Sequence, residues 1–145
     1  VKWDMAETAK GGPFKEILDN DILINCIYLN PKAPKSPPFI SLPLIEKRQN
    51  ERKLSVISDV SCDTNNPNNP LPVYNTLTTF EKPTLTIFDK PLPLEVIAID
   101  HLPSLVPRES SKDFTDQMID HLIAFDESPV WQRALDVFNE KVATV

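Results

Sequence analysis

The chain has 145 residues, enough for one domain with a buried core, and its 41% hydrophobic and 25% charged residues are typical of globular proteins. A formal net charge of -6, without a Lys/Arg cluster, argues against a nucleic-acid groove or an anionic membrane surface as partner. No apolar run approaches the roughly 18 residues of a membrane span, and no signal peptide opens the sequence. We therefore expect a cytoplasmic protein that binds a small molecule or another protein.

The glycine content is low for a protein that would bind a nucleotide on its own. The sequence has 15 prolines but only 2 glycines, and it contains neither GxGxxG nor GxxxxGK[ST]. It also begins with Val rather than Met. Both facts predict a chain that starts partway through a larger protein.

Metal binding is not expected from the cysteines and histidines. The only candidate soft ligands are Cys26, Cys62, His101 and His121, and the two cysteines are 36 positions apart without CxxC spacing. These ligands are too few and too scattered for a zinc site. The cysteines are interpreted as small buried hydrophobic residues in a reducing compartment.

The first half of the chain alternates apolar runs with short helices and loops. A strand is predicted to end at Asp4, a short helix to span residues 14–19, and the apolar run 21–29 to form a central parallel strand. After a proline-rich loop, we predict the following elements: an amphipathic helix over 39–49, a strand over 54–60 and a turn-rich loop over 64–72, which is either an ordered functional loop or a surface insertion.

The second half begins with β-rich segments and ends with two helices. Residues 74–80 and 84–88 are predicted to be two short strands or an irregular arm, and residues 94–99 a strand buried on both faces. A helix is then expected from Ser110 or Ser111 as N-cap. A second helix is expected from Pro129, at the first helical position after Ser128.

Polar residues follow each predicted strand at its carboxyl end. They are Asp4, Cys26 to Tyr28, Asp59 to Asp63, and Asp100 with His101. A doubly wound parallel sheet places these ends along one edge, where α/β proteins bind dinucleotides and small substrates. The competing interpretation is structural: Asp4 and Asp100 cap turns, and His101 is an ordinary loop residue.

Four segments resemble the carboxyl-terminal part of the fungal, NAD-dependent, lysine-forming saccharopine dehydrogenases. They are WDMAETAKGGPF, DILINCIYL, VISDVSCDTNNPNNPLP and, most specifically, IDHLPSLVPRESS, and the resemblance covers essentially the whole chain. It implies two Rossmann-like domains with the active site in the cleft between them. It also implies an oxidoreductase of the alpha-aminoadipate pathway of lysine biosynthesis, which cleaves saccharopine with NAD and water into lysine and 2-oxoglutarate.

The resemblance also implies roles for individual residues. The implied NAD-binding residues are Asp4 and Thr8 at the adenosine ribose, Tyr28 and Val60 along the dinucleotide, and Ile99, Asp100, His101 and Leu102 beside the cofactor. The implied substrate-binding residues are Ser61, Cys62 and Asp63. The acid at position 4, without a neighbouring arginine, favours NAD over NADP, and Asp63 suits a cationic amine unless it only caps the adjoining loop.

The chain departs from that family in what it lacks. The family's catalytic lysine and histidine and its glycine-rich phosphate loop match no position here, so Lys10 and His101 are not assigned those roles and no catalytic residue is predicted. Position 62, usually a small residue such as alanine in the family, is cysteine. We expect cysteine to fit sterically.

The predicted organisation is a partial enzyme. Residues 1–107 would form part of a NAD-binding Rossmann-like domain, the second half of its doubly wound sheet, and residues 108–145 two helices that return to an absent amino-terminal domain. The apolar faces of those helices would then be exposed. Two alternatives stay open: an alanine-dehydrogenase-like amino-acid oxidoreductase, and an inactive truncated chain that acts as an interaction module.

Overall fold

The fold is known from a computed structural model that describes residues 11–28, 37–62 and 64–144. The chain divides into two compact units, Val1–Leu102 and Pro103–Val145, which are considered separately here. The division between a cofactor-binding part and a helical return at residue 107 stays a prediction. Asp4, Thr8 and Asp63 lie outside the described residues.

The first unit contains a four-stranded mixed sheet with short helical segments. Its elements are a 3₁₀ turn Lys15–Asp19, β1 Ile22–Asn25, α1 Leu42–Lys47, β2 Val56–Asp59, β3 Leu85–Phe88 and β4 Leu94–Ile97. The strand order is β1-β2-β4-β3, with β1, β2 and β4 parallel and β3 antiparallel to β4. Parallel strands combined with helices confirm the predicted α/β class.

The connection from β2 to β4 explains why the sheet is mixed. Between these strands the described residues contain turns and β3 but no helix. Prolines are too frequent for a helix there, and Asx turns organise the 64–72 loop: the Asn66 and Asn69 side chains accept hydrogen bonds from the backbone N–H groups of Asn68 and Leu71 at 2.9 and 2.8 Å. The chain therefore returns to the sheet through an ordered loop, with residues 74–80 as an irregular segment.

The strand β1 differs from its prediction as a central strand. Among the described residues it lies at the edge of the sheet, and Ile22 and Ile24 are 58% and 64% exposed on one face. The other face carries the buried Asn25 and the partly buried Leu23. The uniform apolar run predicted a strand correctly, but its composition did not distinguish a buried face from an exposed one.

The core lies where the sheet meets α1, the 3₁₀ turn and the ordered loop. Its fully buried hydrophobic side chains come from all of these segments: Leu18, Ile40, Ile45, Leu54, Ile57, Leu71, Leu94 and Val96. In β2 and β4 the buried residues alternate with partly exposed ones, so one face of each strand lies on the core. The prediction that the last strand is buried on both faces is therefore wrong: β4 spans Leu94–Ile97, and only Leu94 and Val96 are buried within it.

Arg52 joins the amino ends of β2 and β4. Its side chain is 4% exposed, and its guanidinium donates to the backbone carbonyls of Leu54 and Leu92 and, at 3.3 Å, to that of Pro93. Its Nε donates to the Gln49 side chain at 3.0 Å. Burial lowers the pKa of Arg52. A buried guanidinium surrounded by carbonyl acceptors is a structural feature at the edge opposite the strands' carboxyl ends.

Replacing Arg52 with methionine should lower the free energy of unfolding by about 2–4 kcal/mol, because buried carbonyl groups lose their donors. Urea unfolding measures the change. Arg48→Met is the matched control: Arg48 is partly exposed and bonds Glu51 and Asp19 at 3.2 and 3.3 Å, so its loss should cost less than about 1 kcal/mol. Equal costs for the two substitutions would contradict this role for Arg52.

The second unit contains two helices joined by a short turn. After a 3₁₀ turn Leu102–Leu105, which begins at the end of the first unit, α2 spans Pro107–Ile123 and α3 spans Pro129–Val142. The Trp131 indole donates to the backbone carbonyl of His121 at 2.9 Å, and the rings of Phe125 and Trp131 lie 5.3 Å apart. These contacts fix the turn between the two helices.

The two helix starts give one wrong and one confirmed prediction. Helix α2 begins at Pro107 with Val106 as N-cap, not at Ser110 or Ser111. Proline has the backbone angle of a first helical residue, and the Ser110 hydroxyl instead donates to the backbone carbonyl of Pro103 at 3.0 Å. Helix α3 begins at Pro129 after Ser128, as predicted.

Candidate functional site at the carboxyl edge of the sheet

The carboxyl ends of the three parallel strands lie along one edge of the sheet. Asn25 at the end of β1 is in register with Asp59 at the end of β2, and β4 is the next parallel strand along. We call residues 25–28, 59–62 and 98–101 the carboxyl edge. The geometry therefore brings together the described strand-end residues that the sequence singled out.

Asp59 is the buried centre of this edge. Its side chain is 1% exposed, and Oδ1 accepts hydrogen bonds from the Asn25 side-chain amide at 2.8 Å and from the Cys62 backbone N–H at 3.1 Å. Its other oxygen, Oδ2, accepts from the Tyr74 hydroxyl at 2.6 Å. Three donors from three separate segments of chain meet at one carboxylate, which offsets the cost of burying it.

The turn after β2 has a strained backbone at Cys62. Its φ of 34° is in the left-handed region, which is unfavourable for a residue with a Cβ. The side chain is buried, with Sγ 3.6 Å from the backbone carbonyl oxygen of Val60. A ligand at this edge would therefore meet the backbone of residue 62 rather than its thiol. The expectation that both cysteines are buried is wrong for Cys26, which is exposed just after the end of β1.

Ser61 connects the loops that follow β1 and β2. Its hydroxyl donates to the backbone carbonyl of Ile27 at 2.5 Å, and its side chain is partly exposed. Because the hydroxyl proton is used in this bond, the oxygen can still accept a hydrogen bond from a donor such as an ammonium group.

Two exposed side chains stand on the same edge. Tyr28 is 82% exposed and Val60 is 43% exposed. They adjoin the buried Asn25 and Asp59, so the edge has a fixed base beneath an open surface. An exposed aromatic ring and an exposed aliphatic group at the same edge are suited to contact with a planar ring and a sugar.

The residues after β4 contribute an acid and an imidazole. His101 Nδ1 lies 2.7 Å from Asp100 Oδ1, and the His101 ring packs edge-on against Phe80 with centroids 4.9 Å apart. The imidazole also affects Glu81. The pKa of Glu81 is lowered mainly by hydrogen bonds from its own backbone N–H and from the Thr79 side chain, and attraction to His101 lowers it further. Both His101 and Asp100 are exposed and accessible to a ligand.

Thr78 fixes the backbone segment that precedes Asp100 and His101. Its backbone N–H donates to the Ala98 carbonyl at 2.9 Å, and its side-chain oxygen accepts from the Ala98 N–H at 2.9 Å. Ile99 is buried, so only its backbone can meet a ligand, whereas Leu102 is partly exposed. This reciprocal pair positions the segment before Asp100 without a further strand.

Sequence reasoning included Asp59 at a strand end but missed its role as a buried acceptor, and it missed the partners Asn25 and Tyr74. A signal for burial was present, because Asp59 is two residues from Ile57 and shares its face of β2. Tyr74 gave no such signal, since it comes from an irregular segment.

Neither a membrane span nor a metal centre appears in the part of the chain that the structure describes. No helix there is long and apolar enough to cross a membrane. No group of three or more histidine, cysteine, aspartate or glutamate side chains is placed there to hold a metal ion.

Comparison with known proteins confirms the resemblance. Proteins named saccharopine dehydrogenase (NAD+, L-lysine-forming) match the chain: that of Emericella nidulans is 50% identical over 100% of this chain, and that of Candida albicans 51% over 99%. The Schizosaccharomyces pombe relative is 50% identical over 98% of the chain. The chain spans 40%, 37% and 39% of these relatives, respectively, so it matches a partial region of them. No protein-family model matches the chain.

Proposed function

We propose that this chain is the carboxyl-terminal part of a NAD-dependent saccharopine dehydrogenase, which cleaves saccharopine oxidatively to L-lysine and 2-oxoglutarate in lysine biosynthesis. The observation that carries the proposal is identity of about one half, over essentially the whole chain, to curated enzymes of that name. The carboxyl edge supports it, because its exposed and buried residues fit part of a dinucleotide and amino-acid site.

The NAD-binding part of the proposal uses the outer residues of the carboxyl edge. Tyr28 and Val60 would line the dinucleotide, which agrees with their exposure. Asp4 and Thr8 would hold the adenosine ribose. The ribose hydroxyl groups would donate hydrogen bonds to the carboxylate of Asp4. NAD supplies the hydride acceptor when bound.

The loop after β4 would pass beside the cofactor. Asp100 and His101 present exposed polar groups there, while the buried Ile99 offers backbone groups and Leu102 a partly exposed apolar surface. The contact of His101 with both Asp100 and Phe80 orients the imidazole. These residues are assigned to binding, and none to proton transfer.

The amino-acid substrate would meet Ser61, Cys62 and Asp63. The Ser61 oxygen can accept from an ammonium group, and the residue-62 backbone is held by Asp59. Asp63 would pair with a cationic amine of the substrate.

The rest of the parent enzyme would cover the two helices of the second unit. Its exposed large hydrophobic residues are spread along both helices: Phe114, Ile119, Leu122, Ile123, Leu135, Val137, Phe138 and Val142. In this proposal residues 1–107 belong to the NAD-binding domain, and residues 108–145 return to the amino-terminal domain. We place the parent enzyme in the cytoplasm.

The proposal is tested with a chimera in which this chain replaces the matching segment of the Schizosaccharomyces pombe relative. A strain of that yeast lacking its own enzyme should grow without added lysine when it expresses the chimera. The same relative without the segment is the negative control and should not restore growth. A chimera that is expressed and soluble, yet leaves the strain dependent on lysine, would overturn the proposal.

A further inference from the structure

We infer that Asp59 and Tyr74 are positioning residues for the amino-acid substrate: their buried hydrogen bond sets the conformation of the 60–62 turn, which presents the substrate-binding groups. The inference rests on the proposed function and deepens it, because neither residue touches the substrate. Its basis is the convergence of β1, the turn and the 74–80 segment on one carboxylate.

The first step of the argument is burial. Asp59, Asn25 and Tyr74 are each at least nine-tenths buried, so none of them meets a ligand at the open surface. A buried carboxylate is retained only where hydrogen bonds compensate for lost water, and Asp59 has three of them at 2.6–3.1 Å. Their effect must therefore reach the surface through the groups that they hold.

The second step is the strained turn. A left-handed φ is unfavourable for a residue with a Cβ, so the conformation of Cys62 needs a stabilising contact. The Cys62 N–H donates to Asp59 Oδ1, and this bond fixes the turn directly after β2. The Tyr74 hydroxyl on Oδ2 in turn fixes the orientation of the carboxylate.

The third step is selectivity between ligands. Ser61 and the residue-62 backbone would face the substrate. Among the residues assigned to NAD, Val60 is the one that belongs to the turn, and it precedes the Cys62 N–H that Asp59 holds; Tyr28 and the loop after β4 have no hydrogen bond to Asp59 among those described. Loosening the turn should therefore weaken substrate binding more than cofactor binding.

The test uses Tyr74→Phe in the chimera, with two readouts. The KM for saccharopine should rise about tenfold, while the Kd for NADH changes less than about twofold. Hydrogen exchange of peptides covering residues 59–62 should become about tenfold faster, and exchange in β4 should be unchanged. Asp59→Asn should act in the same direction and more strongly, because an amide replaces one of the two acceptor oxygens.

The matched control is Arg52→Met, which disrupts a buried polar group at the opposite edge of the sheet. It should lower the melting temperature without changing the KM for saccharopine. If Tyr74→Phe behaves like Arg52→Met, with lower stability and unchanged KM, the positioning role is wrong and the network is only structural. Unchanged exchange at residues 59–62 would overturn it equally.

The two readouts separate this inference from the proposed function. Faster exchange at 59–62 in a chimera whose unsubstituted form has no turnover would support control of the turn and reject the proposed enzyme. Normal turnover of the unsubstituted chimera, with no change of KM in Tyr74→Phe, would support the proposed enzyme and reject the positioning role.

Discussion

The 145-residue chain on its own should bind NADH at least about 100-fold more weakly than the chimera. In the proposed function the carboxyl edge supplies side chains along the dinucleotide, but the chain's glycines, Gly11 and Gly12, do not form a phosphate loop motif. Each described α-helix also has one proline within its first two positions, and proline lacks an N–H to donate to a phosphate.

The magnitude follows from the missing hydrogen bonds. Bonds from backbone N–H groups to charged phosphate oxygens contribute about 1.5–3 kcal/mol each, and 1.4 kcal/mol is a factor of ten in affinity. The loss of two such bonds therefore weakens binding by about 100-fold or more. Isothermal titration with NADH, for both proteins in one buffer, measures the ratio. Affinities within about tenfold of each other would show that the chain holds the pyrophosphate itself, contrary to this account.

The isolated chain should also self-associate through α2 and α3, and a double substitution should prevent it. Phe114 and Phe138 are 66% and 61% exposed, one on each helix, among other exposed large hydrophobic residues of these helices. Exposed apolar surface drives association in water at about 25 cal/mol per Å² buried. Phe114→Glu with Phe138→Lys removes two large apolar groups and leaves the net charge unchanged.

Sedimentation velocity over a range of concentrations tests this expectation. The unsubstituted chain should sediment as oligomers at tens of micromolar, a concentration at which apolar interfaces of standard size associate. The double variant should sediment as a monomer. Gln117→Glu with Gln132→Lys, also on α2 and α3, is the control and should leave association unchanged. In the proposed enzyme the rest of the parent covers the two helices, so the phenylalanine substitutions should lower the melting temperature of the chimera. A monomeric unsubstituted chain would contradict the exposed-interface account.

Much of the candidate site was predictable because strand ends are visible in sequence. Apolar runs predicted β1, β2 and β4, and their parallel pairing follows from the long connections between them. Parallel pairing alone is enough to place Tyr28, Ser61 and Asp100 on one edge. The order of these residues along the edge still required the structure.

The parts that sequence did not predict depend on contacts between distant segments. The bond from Tyr74 to Asp59 joins β2 to an irregular segment without periodicity, so no local pattern indicates it. Similarly, Thr78 and Ala98 are joined by one reciprocal pair of hydrogen bonds and not by the repeated backbone bonds of paired strands. The N-cap preference of serine predicts a start of α2 after Ser110 or Ser111, but proline favours the first helical position, and the helix begins at Pro107.

The proposed activity is tested most directly by the initial rate of NADH formation by the purified chimera with saccharopine and NAD, compared with the rate with L-alanine and NAD. We predict saccharopine-dependent turnover within about tenfold of the unsubstituted Schizosaccharomyces pombe relative, and no turnover of alanine. A folded chimera that oxidises alanine but not saccharopine would instead favour the alanine-dehydrogenase-like alternative. A folded chimera that turns over neither substrate would contradict the assignment of this chain to the enzyme.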